Sequence, residues 1–205
     1  YTALGHDSSW DQRIIGWMNQ VRDQIRTGVT APEKITDCRV ILDEMRLIKS
    51  SEELQVMQQA ANISVQAHQR AMQITKPDKY EYEIEAELLY TFNRLGARFP
   101  AYTSIVAGGA NACVLHYVEN TAELKSGDLL LIDAGCELHG YASDITRTFP
   151  INGKFSAAQK DVYQLVLNAQ AAAIAQVKPG NLWNEPHQAA LQVLAQGFID
   201  LGLCH

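Results

Sequence analysis

Apolar residues recur every three to four positions in five segments of the chain, and this spacing predicts five helices. Capping residues and helix breakers mark the ends of these segments. The first predicted helix begins at a cap at Asp7, Ser8 or Ser9 and ends at Gly28, and the second begins at a capping box at 50–53 and ends at about Thr75. The third begins at a capping signal of Asp78 and Glu81 and ends at Gly96. The fourth begins at a Ser156/Gln159 cap and ends at the break at 179–180, and the fifth continues from this break through His187 to Leu201.

Between the third and fourth helices, β-rich runs predict a block of strands. The runs are AYTSIVAGG, CVLHYVEN, DLLLIDAGCEL and YASDITRTFPI. Between the first two helices, TAPEKITDCRVILDEM predicts a connection that ends in a short strand. The order helix, helix, strands, helix, helix contains a half-hidden repeat, which is typical of a truncated two-fold architecture. A chance similarity between the halves is the alternative.

The strand LLLID and the segment ASD place two acids on either side of a predicted hairpin. A two-residue turn at 139–140 puts Asp133 opposite Thr146, and Gly135 opposite Asp144. Side chains alternate along a strand, so both acids share one face with about 7–8 Å between their β-carbons. Since Gly135 has no side chain, this register predicts a gap between two carboxylates that suits a divalent cation with oxygen ligands.

The acids also fit a purely structural interpretation, in which Asp144 is solvated at a strand end and Asp133 accepts backbone N–H groups at a bulge. A register slip of one residue would separate the acids onto opposite faces. His116 in VLHYVEN is a candidate metal ligand, proton shuttle or ordinary core histidine. The other histidines divide into two predicted groups. His68 and His187 are predicted in the core, and His6, His139 and His205 at turns or on the surface.

Composition narrows the functional classes. Hydrophobic residues make up 47% and charged residues 20%, as in ordinary soluble globular proteins. The net charge of −6 argues against nucleic acid or anionic membrane as the main partner. The four cysteines form no CxxC pair, and no apolar stretch approaches about eighteen residues. These features favour a cytosolic protein with reduced thiols and no membrane span.

Three segments together resemble the bacterial Xaa-Pro aminopeptidases of the creatinase/methionine-aminopeptidase superfamily. They are LLLIDAGCELHGYASDITRTFPINGKF, VLHYVEN and MRLIKSSEELQVMQQAANISVQAH. The resemblance implies an α+β pita-bread fold that is incomplete here: one helix-helix-strand half plus the two helices of the second half. It also implies that residues 36–205 are a partial metallopeptidase catalytic domain, and that residues 1–35 are the tail of an amino-terminal domain with its linker.

In functional terms the resemblance implies a cytoplasmic, homo-oligomeric enzyme that removes an N-terminal residue preceding proline. Two divalent ions, commonly Mn²⁺, would activate a water there, with Asp133 on one ion, Asp144 bridging both, and His116 beside the peptide substrate. The family's remaining ligands, a histidine and two glutamates, have no counterpart in this chain, and LGLCH does not match the family's histidine motif. The chain alone is therefore expected to be inactive. An Xaa-Pro dipeptidase and a metal-free relative that only binds peptides or proteins are the alternatives.

Overall fold

The computed structural model describes residues 2–204 of the chain, so Tyr1 and His205 lie outside the described residues. It divides into two compact units, one up to Gln55 and the other from Val56 onward. The boundary that the sequence predicts at residues 35/36 stays a prediction.

In the first unit, helix α1 spans Ser8–Arg22 and is capped as predicted, because the Asp7 carboxylate accepts the N–H of Ser9 at 2.8 Å. It ends before Gly28, which instead follows a short 3₁₀ helix, Ile25–Thr27. The predicted short strand in the connection is wrong: Arg39–Leu47 form helix α2. The apolar run at 40–42 fits either element, and the carboxylate of Asp37 accepts the Arg39 N–H at the helix start.

Four further helices confirm the predicted pattern. The Ser156 capping box of α5 is present as predicted, with Gln159 Oε1 accepting the Ser156 N–H at 2.9 Å. The predicted Asp78/Glu81 cap is wrong, because Glu83 accepts the Tyr80 N–H at 2.8 Å. The helices are α3, Ser51–Ile74; α4, Glu81–Arg94; α5, Ala157–Ile174; and α6, Glu185–Asp200.

Within residues 2–204, six strands form two antiparallel three-stranded sheets, ordered β1-β4-β5 and β2-β3-β6. Their bounds are β1, Phe99–Pro100; β2, Ile105–Gly108; β3, Leu129–Ala134; β4, Cys136–Leu138; β5, Tyr141–Ala142; and β6, Ile145–Pro150. The strand predicted for CVLHYVEN is wrong: a 3₁₀ helix, Gly109–Cys113, leads into an irregular loop. Backbone φ angles of +56° at His116 and +48° at Asn120 are incompatible with an extended strand there.

The main core lies between helices α3 and α4 and one face of β3. Leu130, Ile132 and Ala134 of β3 are fully buried in it, together with Leu88 and Phe92 of α4. The alternate residues of β3, which include Asp133, point to the opposite face. That alternation keeps an acid on an otherwise apolar strand out of the core.

The histidines divide differently from their prediction. His68 of α3 is buried, as predicted, but His187 is exposed in the first turn of α6, where the predicted core position is wrong. His6 and His139 are exposed as predicted, whereas His205 lies outside the described residues. Among residues 2–204, no helix combines the length and the hydropathy needed to cross a membrane.

Candidate metal centre

The hairpin that carries the two acids has the predicted register. Asp133 pairs with Thr146 in the ladder between β3 and β6. At the tip, His139 and Gly140 have φ angles of +51° and +87°, so both central residues have the positive φ that a tight hairpin turn requires. Because the turn fixes the register, Asp133 and Asp144 lie on the same side of the hairpin.

The gap predicted beside Gly135 does not exist. A β-carbon on Gly135 would lie 1.7 Å from the main-chain oxygen of Ser143, so the backbone of the opposite strand fills this space. The ladder is interrupted there, between the Ala134–Ile145 pair and the Glu137–Ala142 pair. Glycine is required because the two backbones approach too closely for any side chain.

The space between the acids is taken instead by a hydroxyl that the sequence did not single out. Tyr102 Oη lies 2.5 Å from Asp133 Oδ1 and 2.9 Å from Asp144 Oδ1. The distance between the two carboxylate oxygens therefore cannot exceed the sum of these two distances. The acids converge on one point, as the paired-acid hypothesis requires.

Tyr102 reaches this point because the chain before β2 is tied to the hairpin. Pro100 of β1 pairs with Cys136 of β4, and the Ala101 N–H donates to Gly135 O at 2.9 Å. These contacts join segments more than thirty residues apart, and Tyr102 itself lies outside the strands, where no periodic pattern marks it. The sole signal in the sequence is a tyrosine two residues after a proline, and this signal is weak.

The electrostatics of the pair favour a cation. Burial, followed by the hydrogen bonds to Asp133 and Asp144, raises the pKa of the Tyr102 phenol well above its ordinary value, so the hydroxyl stays protonated. It has one proton and can donate to one carboxylate at a time. The second carboxylate therefore receives no proton from this hydroxyl, and its negative charge is not balanced by it. A divalent ion would balance this charge, because hard divalent ions prefer carboxylate oxygens at about 2.0–2.6 Å.

These residues fit a divalent ion in donor chemistry and in convergence, but they are a partial ligand set. In the part of the chain that the structure describes, no group of three or more His, Cys, Asp or Glu side chains could hold a metal ion. Asp133 and Asp144 could supply two of the oxygen ligands that such an ion needs.

Buried polar contacts join the hairpin to helix α3. The hydroxyls of Ser64 and Ser143 lie 2.7 Å apart, and both are within 3.0 Å of the Cys136 N–H. His68 Nε2 donates to Ala134 O at 3.0 Å, beside Asp133 in the chain. Desolvation by burial lowers the pKa of the His68 imidazole, which keeps it neutral and able to donate through one nitrogen.

His116 is exposed on the loop that follows β2, so it is not the core histidine considered above. Its neighbour Tyr117 packs with Ile105 and Ala107 of β2, and Ile105 pairs directly with Asp133. The His116 loop therefore lies over the sheet face that carries Asp133. The structure thus brings Asp133 and Asp144 together on one hydroxyl, and it anchors the loop of His116 over the same sheet face.

Comparison with known proteins agrees with this architecture. The Xaa-Pro aminopeptidase of Haemophilus influenzae is 55% identical over 170 residues, which is 83% of this chain and 40% of that protein. The structure of the Pseudomonas aeruginosa aminopeptidase PepP matches 99% of this chain with a TM-score of 0.97 and 50% identity, over 46% of its own length. Zn-substituted Escherichia coli aminopeptidase P in complex with product matches with a TM-score of 0.96 and 42% identity, covering 100% of this chain and 47% of that one.

The chain has an incomplete pita-bread fold, the fold of the aminopeptidase P structures that it matches. Residues 55–205 match the sequence profile of metallopeptidase family M24, and the chain belongs to this family. It spans less than half the length of the curated relative and of the solved structures above.

Proposed function

We propose that the protein containing this chain is a metal-dependent Xaa-Pro aminopeptidase that releases an N-terminal residue preceding proline. The observation that carries the proposal is the convergence of Asp133 and Asp144 on one hydroxyl, on the sheet side opposite the main core. The relatives' names supply the substrate class. Residues 36–205 are then part of the catalytic domain, and residues 1–35 belong to the preceding domain and linker.

Each residue has a role that its surroundings support. Asp133, held by the β3 ladder, would be a ligand of one divalent ion, and Asp144, in the more exposed break of the hairpin, would be a ligand shared by two. Two divalent ions held there, which we propose to be Mn²⁺, would supply a water of lowered pKa and a positive charge for the scissile carbonyl. His116, exposed on its loop, binds the peptide and moves a proton at the reacting centre.

The test uses the full-length protein and a matched pair of tripeptides, Xaa-Pro-Yaa and Xaa-Ala-Yaa. We expect Mn²⁺-dependent release of the first residue from the proline peptide alone. Asp133→Asn and Asp144→Asn should each reduce kcat/KM by at least about 100-fold, because each removes a charged ligand. Unchanged turnover in both variants, or after complete metal removal, would contradict the metal assignment.

A second comparison separates the aminopeptidase from a dipeptidase. We expect faster hydrolysis of the tripeptide than of the Xaa-Pro dipeptide, and the reverse order would identify a dipeptidase. Absence of turnover on both, with peptide binding retained, would favour the non-catalytic relative. The cytoplasmic location and the homo-oligomeric state stay predictions, tested by fractionation and by light scattering of the full-length protein.

A further inference from the structure

Glu81, the first residue of helix α4, has a fully buried carboxylate with an unusual set of partners. It accepts four hydrogen bonds, and all four donors belong to residues 108–122. Oε1 accepts from Gly108 N at 2.8 Å and Asn111 Nδ2 at 3.0 Å, and Oε2 accepts from Tyr117 Oη at 2.8 Å and Ala122 N at 2.9 Å. One buried carboxylate thus binds the start, the middle and the end of the loop that carries His116.

This arrangement is more than a helix cap. The N-terminal turn of α4 is served by Glu83, which accepts the Tyr80 N–H. The Glu81 side chain turns away from its own helix to the loop, although burying a carboxylate is unfavourable unless donors satisfy it. Its position is therefore explained by the order that it imposes on residues 108–122.

The anchoring acts directly beside His116. His116 is exposed with a φ of +56°, whereas the next residue, Tyr117, is buried with its hydroxyl on Glu81. Three residues later, the buried side chain of Asn120 accepts from Val106 N and donates to Ser104 O, each at 2.9 Å. The backbone after His116 is thereby fixed against both α4 and β2.

We propose that Glu81 is a positioning residue, which sets the place of the His116 imidazole through the hydroxyl of Tyr117. This inference rests on the role of His116 in the proposed function. Small displacements of a substrate-contacting group reduce the rate strongly, because reacting atoms must be aligned about 3–3.5 Å apart and a misplacement of about 1 Å can cost roughly 100-fold. The competing explanation is that packing of the Tyr117 ring on Ile105 and Ala107 is sufficient to hold the loop.

Tyr117→Phe separates these explanations, because it keeps the ring and removes the hydroxyl, with the bond that it donates to Glu81 and the bond that it accepts from Asn111 Nδ2 at 3.1 Å. The experiment is a double-mutant cycle in the metal-loaded full-length protein, with Tyr117→Phe, His116→Ala and the combined variant, assayed on an Xaa-Pro-Yaa tripeptide. Tyr90→Phe is the matched control, since Tyr90 lies on the same helix as Glu81 and is 61% exposed. Bound metal and thermal unfolding are measured for every variant.

We expect Tyr117→Phe to lower kcat/KM about fivefold to tenfold with unchanged metal content, and to have no further effect in the His116→Ala background. Tyr90→Phe should match the parent protein. An equal loss from Tyr117→Phe in both backgrounds, or no loss at all, would overturn the positioning role while leaving the proposed function intact. Full activity of His116→Ala would instead contradict the role of His116 in the proposed function.

Glu81→Gln provides an independent check. An amide accepts through its oxygen, but its NH₂ group would face the Ala122 N–H or the Gly108 N–H, neither of which can accept a hydrogen bond. We therefore expect Glu81→Gln to lower kcat/KM at least as much as Tyr117→Phe, again only while His116 is present. A His116-independent loss of the folded enzyme's activity would contradict positioning.

Discussion

The main-chain oxygen of Ser143 lies 1.7 Å from the position that a β-carbon on Gly135 would occupy. No ordinary packing allows this distance, and the obstacle is backbone rather than a side-chain end that can rotate away. The close approach breaks the ladder between the two halves of the hairpin and leaves Asp144 outside a strand. Gly135 therefore sets the local geometry of the candidate metal centre.

We predict that Gly135→Ala strongly destabilises the chain, by about 3 kcal/mol or more, because the hairpin must open to admit a methyl group. Urea unfolding followed by circular dichroism measures the loss. Gly16→Ala is the control: Gly16 is helical with nothing within 4 Å of the added carbon, so the exchange should be neutral or stabilising by up to about 1 kcal/mol. A Gly135 variant as stable as the parent chain would contradict the close approach.

We predict that Tyr102→Phe destabilises the metal-free chain by about 1–2 kcal/mol, because the two acids lose their shared donor. The loss should shrink in an Asp133→Asn background, where the repulsion between carboxylates is already relieved. Chemical denaturation of the four variants in a chelating buffer gives the coupling free energy. Additive losses would show that Tyr102 contributes through packing rather than through the acids.

Features fixed by neighbouring residues were predictable from the sequence. The Ser156/Gln159 capping box and the hairpin register both depend on spacings of a few residues, and both are present as predicted. A short apolar run carries less information: Val40, Ile41 and Leu42 fit a strand or a helix equally, and the structure has α2.

The contacts that complete the site were not predictable, because they join residues far apart in the chain. Tyr102 meets Asp133 and Asp144 across 31 and 42 positions, and Glu81 meets Tyr117 across 36. Sequence spacing assigned Glu81 to a helix cap, whereas tertiary contacts bury it under the His116 loop. The supposed gap at Gly135 failed for the same reason, since an idealised ladder does not include the approach of the Ser143 backbone.

We predict that the free energy of unfolding falls as the pH drops below about 6.5, the ordinary histidine value. Burial lowers the pKa of His68 in the folded chain, so between that lowered pKa and the ordinary one the unfolded state binds more protons. Stability then rises with pH across this window, by at most about 1.4 kcal/mol per pH unit for one proton.

His68→Gln should flatten this dependence, because its amide can still donate to Ala134 O but does not titrate. His187→Gln is the matched control, since His187 is exposed and its replacement should leave the slope unchanged. Denaturation series between about pH 5 and pH 8, in chelating buffer, provide the slopes. A slope that survives His68→Gln would assign the effect to other groups.

We predict that divalent ions stabilise the isolated 205-residue chain only slightly. Two carboxylates, Asp133 and Asp144, are the acids that converge in residues 2–204, and affinity for hard cations rises with the number of oxygen ligands. With a dissociation constant near millimolar, Mn²⁺ at about 1 mM raises the free energy of unfolding by about 0.4 kcal/mol. Asp144→Asn should abolish even this response. Thermal unfolding with Mn²⁺ and with chelator measures it, and a rise above about 3 kcal/mol would reveal a complete site within these residues.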